Sequence, residues 1–372
     1  MEFVYSLPVK IIFGRNRLES LADVCRGAGL QSGLLVCDSI FAKNGLAERT
    51  LAAAKGCLTG AFSELSSNPD VSEVDACAER IAGGGCRFLV ALGGGSAMDC
   101  AKAASVVAGS GKPARHYHCE KGAIAGPGLP VIAIPTTAGT GSEVTNVAVL
   151  TDSGKGIKGP MASDWMYVKI ALIDPLLTLS VPPQVTASTG LDVLSHALEG
   201  FWSRNHQPIC DAAALPAARL VFENLQEAYD NGENAEAREN LCLASLMAGL
   251  AFAHPKTAAS HACSFPLTNV YHLPHGEACA FTLDSLTEIN RRAEDGRLDR
   301  FAVQLGFSDA LAMAGRIREM KKAMRMKCTL AEAGIPEGDL ERLVESCRHP
   351  NLLNNPVEMT PELLLKMFRG LA

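Results

Sequence analysis

At Pro182-Pro183 this sequence changes texture, and that change limits the fold more than any other feature. Before it, short apolar runs rich in β-formers alternate with amphipathic stretches; after it, one helical periodicity follows another. The strand runs fall at 34–37, 87–92, 129–134, 147–151 and 170–173. The helical stretches fall at 184–202, 209–228, 235–253 and 257–268, with several more from 286 onward. The pattern predicts an α/β domain with a Rossmann-like parallel sheet over residues 1–180 and an all-α domain over 181–372, with the active site in the cleft between them. A chain of 372 residues, 48% hydrophobic and 20% charged, is long and apolar enough for two cores. Residues 3–13, apolar around Pro8 and ending at Gly14, read as an extended arm or hairpin able to pair with a second subunit.

The helical half carries a metal-ligand pattern. In a helix Asp192 and His196 stand four residues apart, a turn from each other on one face. His261 and His275 bracket a later loop, so three imidazoles and one carboxylate can converge on one divalent cation. Asp-x-x-x-His alone has a plainer reading as a charge–dipole pair on a helix. The agreement of the other two histidines favours the metal.

The first half carries a phosphate-binding pattern. Residues 87–92 form a continuous apolar strand, Gly93-Gly94-Gly95-Ser96 a turn without Cβ crowding, and Ala97-Met98-Asp99 the start of a helix. That arrangement aims backbone N–H groups and a helix dipole at a diphosphate, although it is not the Gly-x-Gly-x-x-Gly fingerprint. Asp38 ends the strand at 34–37, where a carboxylate can receive a ribose diol or, more plainly, cap a helix. After the strand at 129–134, Pro135-Thr136-Thr137-Ala138-Gly139-Thr140-Gly141-Ser142-Glu143 interleaves hydroxyls with glycine, which offers hydrogen bonds to a polar ligand without filling its space.

Charge and cysteine usage narrow the class. A net charge of −6 without a run of Lys and Arg argues against nucleic acid or an anionic membrane as partner and leaves small molecules. The 13 cysteines are scattered and never spaced as Cys-x-x-Cys, which reads as buried thiols in a reducing cytoplasm. No basic segment leads into an apolar stretch at the N-terminus, and nowhere do eighteen apolar residues run unbroken, so neither a signal peptide nor a membrane span is expected.

Taken in order, the blocks at 93–99, 135–143, 190–199 and 274–276 resemble those of the iron-containing (group III) alcohol dehydrogenase family across essentially the whole chain. The resemblance implies NAD(H) as cofactor and Fe²⁺ or Zn²⁺ held by Asp192, His196, His261 and His275. It implies dinucleotide contacts from Asp38, Asn68, Gly94, Gly95, Ser96, Asp99, Thr136, Thr137, Thr140 and Lys158, and a homodimer. Many members carry a further histidine four residues after the third ligand; here that position is Phe265, so a proton relay would fall to His272, His254, or the cofactor ribose and water. Residues 256–268 also resemble a subgroup reducing small aldehydes with a phosphonate or sulfonate. For such a substrate Lys256, placed on the helix of His261, is expected to attract the anionic tail with help from Thr257 and Ser264. The expected reaction is hydride transfer between NAD(H) and a small aldehyde or primary alcohol. Two alternatives are a metal-dependent lyase of the dehydroquinate synthase kind, for which the basic side chains needed by a phosphorylated sugar are few, and a non-catalytic nucleotide-binding protein.

Overall fold

The computed structural model describes residues 2–293 and 295–372, with Glu120 described in its backbone only. The chain divides into two units. One comprises Ser6–Thr137 and Gly141–Leu179; the other comprises Met1–Tyr5, Ala138–Thr140 and Ser180–Ala372. The second therefore begins close to the expected seam at 180, but also takes two short pieces from the first half of the sequence.

The first unit is built on strands β1 (Lys10–Phe13), β2 (Gly33–Cys37), β3 (Leu58–Phe62), β4 (Phe88–Gly93), β5 (Val131–Pro135), β6 (Val147–Asp152), β7 (Ile157–Ala162) and β8 (Ile170–Ile173). Six form an all-parallel sheet of order β1-β8-β5-β4-β2-β3, and β6 and β7 form a separate antiparallel hairpin. Strands β2, β4, β5 and β8 are buried from end to end, which is why each reads as an unbroken apolar run. Helices α1 (Leu21–Gly27), α2 (Ser39–Lys43), α3 (Leu46–Ala53), α4 (Val71–Gly83), α5 (Gly95–Val107) and α6 (Ala114–Tyr117) lie between the strands in sequence. From β2 the chain steps outward to β3, whereas from β4 it steps the other way to β5. The carboxyl ends of β2 and β4 thus flank a topological switch point, the place where such sheets bind ligands.

Of the extended arm or hairpin expected at 3–13, the hairpin does not form. Residues 10–13 become β1 and pair in parallel with β8 of the same chain, with Lys10 opposite Ile170. Asp174, just past β8, secures the entry into this edge by accepting from the Asn16 N–H at 3.0 Å and the Leu18 N–H at 3.1 Å.

The second unit contains α7 (Pro183–Trp202), α8 (Pro208–Asp230), α9 (Ala235–Phe252), α10 (Ala259–Asn269), α11 (His275–Asn290), α12 (Arg297–Gln304), α13 (Ala310–Ala323), α14 (Leu340–Ser346) and α15 (Pro361–Arg369). Pro183 opens α7, where its missing N–H costs nothing. Most of α7 is buried, so it acts as the axis of the unit, with Leu191, Leu194 and Leu198 packed into one core with Val221, Leu225 and Phe281. No helix among the described residues is long and apolar enough to cross a membrane.

Candidate active site

Because α7 is regular through residues 192–199, Asp192, His196 and Glu199 fall on one stripe at i, i+4 and i+7. His261 comes from the first turn of α10, and His275 is the first residue of α11. Gly276 permits this approach: a Cβ there would lie 2.1 Å from the Ser188 carbonyl oxygen and 3.0 Å from Asp192 Cβ.

The four expected ligands meet in this unit. His261 Nε2 lies 3.0 Å from His196 Nε2 and 3.6 Å from Asp192 Oδ1, and the His261 and His275 rings are 5.5 Å apart. Asp192, His196 and His261 are all at most 5% exposed. Phe252 stacks on His196 at 4.2 Å and fixes the plane of its ring. His261 Nδ1 bonds the carboxylate of Glu199, which also accepts from the Ser260 N–H at 2.6 Å. That bond leaves Nε2 of His261 facing the other donors.

Burial pushes the Asp192 carboxyl up to about 6, against the pull of a charged His261. Burial and the neighbouring His261 and His275 charges hold His196 well below the ordinary imidazole range, so it stays neutral, as a ligand must. His261 is driven down by burial, but its interactions with Cys279 and Glu199 outweigh this and hold it well above that range. A divalent cation fits this arrangement. Asp192 Oδ1 is buried without a hydrogen-bond partner, and imidazole and carboxylate donors converge on it from three helices.

Glu199 was not singled out in the sequence, although its spacing from Asp192 was the signal. Cys279, one turn after His275 on α11, was missed in the same way; burial pushes its thiol up to about 11. Glu199→Gln is expected to weaken divalent-cation binding roughly 10- to 100-fold, because the amide can donate to His261 Nδ1 and upset its tautomer. Chelator competition on folded protein is the check; unchanged affinity would strip Glu199 of this role.

In the first unit, Asp38 sits at the N-cap position of α2 but makes no side-chain cap bond. Its carboxylate turns to the glycine turn, where the Gly94 backbone supports it, and burial holds it up at about 6. Gly93 has φ of +155°, and a Cβ there would stand 2.6 Å from Asp38 Oδ2. α5 then begins at Gly95 with no side chain capping its N–H groups. The Ser96 hydroxyl donates to the Ser67 carbonyl at 2.6 Å, and Lys158 Nζ donates to Asn68 at 2.8 Å, which gathers Asn68, Ser96 and Lys158 on this side. Thr136 N–H donates to the Gly93 carbonyl at 3.0 Å, and Thr137 Oγ1 lies 3.2 Å from where a Gly94 Cβ would be.

Two expected cofactor residues are placed differently. Asp99 accepts from the Ser142 hydroxyl at 2.7 Å and the Val149 N–H at 2.8 Å, so both of its oxygens fasten the chain around the hydroxyl-rich loop. Buried Lys102 assists, donating to Ser142 Oγ at 2.6 Å. Thr140 belongs to Ala138–Thr140, which packs in the helical unit, with Gly139 against Thr189.

The premise for Lys256 fails. Pro255 follows the end of α9, Lys256 takes φ of 66°, its N–H closes on the Phe252 carbonyl, and α10 starts only at Ala259. Its exposed ammonium donates to the Ala253 carbonyl at 2.8 Å. Thr257 and Ser264 are already engaged, with Asn351 and with the His261 carbonyl. His272 is exposed on the loop before α11, with φ of 58°. Phe265 packs its ring on His349 at 4.6 Å.

Residues 8–175 match the iron-containing alcohol dehydrogenase family, and residues 186–371 match the C-terminal domain of the same family. The chain belongs to the iron-containing alcohol dehydrogenase family, and it is a nicotinamide-linked oxidoreductase of aldehydes and alcohols. It is 31% identical to alcohol dehydrogenase 4 of Saccharomyces cerevisiae over 98% of this chain and 97% of that one. It is 36% identical to sulfoacetaldehyde reductase of Bilophila wadsworthia over 76% of this chain and 73% of that one. The crystal structure of sulfoacetaldehyde reductase from Bifidobacterium kashiwanohense in complex with NAD⁺ matches with a TM-score of 0.97 and 49% identity, over 100% of this chain and 99% of that one. These likenesses favour the oxidoreductase over the lyase and the non-catalytic alternatives.

Proposed function

We propose that this enzyme reduces a two-carbon aldehyde bearing a sulfonate, using NADH, and that Asp192, His196, His261 and His275 hold its divalent cation. The observation that carries the substrate is the likeness to the B. kashiwanohense sulfoacetaldehyde reductase, 49% identical with a TM-score of 0.97 over the whole chain. When bound, the cation supplies Lewis acidity to the carbonyl oxygen. The protein's own groups then have distinct tasks. Glu199 orients His261 through its Nδ1. The glycine turn and the N-terminus of α5 receive the diphosphate, and Asp38 receives the ribose. Asn68, Ser96 and Lys158 bind nearby parts of the dinucleotide. His272 or water delivers the proton that completes the alcohol. No cysteine among the described residues is in a disulfide, in keeping with a cytoplasmic enzyme, and the exposed apolar pair Phe3 and Val4 suits a homodimer contact.

The test follows NADH oxidation with sulfoacetaldehyde, phosphonoacetaldehyde and propanal. Catalytic efficiency on sulfoacetaldehyde should exceed that on propanal by at least about tenfold, about 1.4 kcal/mol. Equal efficiencies would refute a sulfonate substrate, and a preference for phosphonoacetaldehyde would reassign the head group. Lys256→Ala is expected to cost the sulfonate substrate about fivefold or less, since an exposed ammonium contributes only about 0.2–1 kcal/mol to such a pairing. A hundredfold loss specific to the anionic substrates would instead place Lys256 in a formed anion pocket.

A further inference from the structure

One ligand atom from each of Asp192, His261, His275 and Cys279 lies within 4.8 Å of every other. The fourth member of this compact set is a thiol. Cys279 follows His275 by one helical turn on α11, so both project from one face, and its Sγ is 3.8 Å from His275 Nε2. Cys279 is fully buried, and the Asp192 Oδ1 of the same set is buried without a hydrogen-bond partner. Cys263, two residues past His261, does not compete for this place, because its thiol is hydrogen-bonded to the Cys347 thiol. Counting His196, the centre offers five donors where a tetrahedral ion uses four.

We propose that Cys279 supplies a thiolate donor to a zinc-class divalent cation at this centre. The inference rests on the reading that these side chains hold a divalent cation, and it adds a basis for choosing among ions. Imidazole and carboxylate serve iron and zinc alike, whereas soft sulfur tilts the site toward zinc. On binding, the S–H bond breaks, a sulfur–metal bond forms, and the proton leaves to solvent with no change of oxidation state. The set of Asp192, His261, His275 and Cys279 then suits zinc, and the nitrogen-and-oxygen set that includes His196 suits iron.

The test is X-ray absorption on the zinc-loaded full chain, with a sulfur shell expected at about 2.3 Å. This measurement needs no variant. In Cys279→Ser the shell should vanish, and the affinity for zinc relative to iron, measured by chelator competition, should fall roughly tenfold or more. Zinc bound by the wild type without a sulfur neighbour would overturn the thiolate and leave the cation site standing. Failure to bind either zinc or iron would overturn the site and the thiolate together. A sulfur shell that persists in Cys279→Ser, or an unchanged zinc-to-iron ratio, would equally refute the assignment.

Discussion

His275→Ala is expected to lose bound metal and turnover together, with catalytic efficiency falling by at least about a hundredfold while NADH still binds. On the proposed reading the donors act as one set. His275 is the first residue of α11, and its backbone position does not depend on its imidazole, because Pro274 precedes it and Gly276 packs the turn against Ser188. The substitution therefore removes a donor without removing the helix. Elemental analysis of protein prepared without oxygen, paired with an NADH fluorescence titration, separates the two losses. Metal content and rate at wild-type levels would remove His275 from the ligand set; loss of NADH binding as well would show that the variant had done more than vacate a ligand position.

The second large effect concerns cofactor choice. The Asp38 carboxylate lies at the end of β2, beside the glycine turn, and on the proposed reading it would accept from a ribose 2′-hydroxyl and repel a 2′-phosphate. NADH should be preferred to NADPH, and Asp38→Gly should lower that preference at least about tenfold. A wild type that prefers NADPH, or a ratio unmoved by the substitution, would show that another residue selects. Because burial holds Asp38 at about 6, the acceptor is fully ionised only above that pH. NADH affinity should accordingly rise as pH climbs from 5 to 7.5, and Asp38→Asn should flatten that rise. The same shift has the opposite sign for stability. The folded chain holds this proton more tightly than the unfolded one, so Asp38's contribution to stability is fully present below its ordinary value of 3.8 and is lost as pH rises through about 6.

What the sequence disclosed followed from periodicity. The parallel strands are buried on both faces, so 87–92 and 129–134 announced themselves as unbroken apolar runs, and α7 displayed Asp192 and His196 at helical spacing. Strand β7 was hidden because Gly159-Pro160 reads as a turn; in the structure Pro160 sits opposite Val149 in a two-stranded hairpin, where an edge tolerates it. Lys256 was misplaced because the helical spacing of His261 extends back to it on paper, whereas Lys256 itself takes a left-handed conformation and α10 starts only at Ala259. Asp99 carried the position of a cofactor contact, but its oxygens were committed to Ser142 and Val149, distant in sequence, and no local pattern reveals such partners. Glu199 and Cys279 were legible in principle, each one or two turns from a residue already singled out.

The assignment of Met1–Tyr5 and Ala138–Thr140 to the helical unit bears on how the protein is made. A ribosome releases the sheet-building segments first, and a nascent chain that has reached residue 180 already holds every strand of the sheet. It does not yet hold α7–α15, the bulk of the unit to which those two short segments belong. Their place in that unit is completed only when the C-terminal half emerges. The two units are therefore interleaved in the order of synthesis, and a single cut at residue 180 would strand pieces of one unit on the fragment carrying the other.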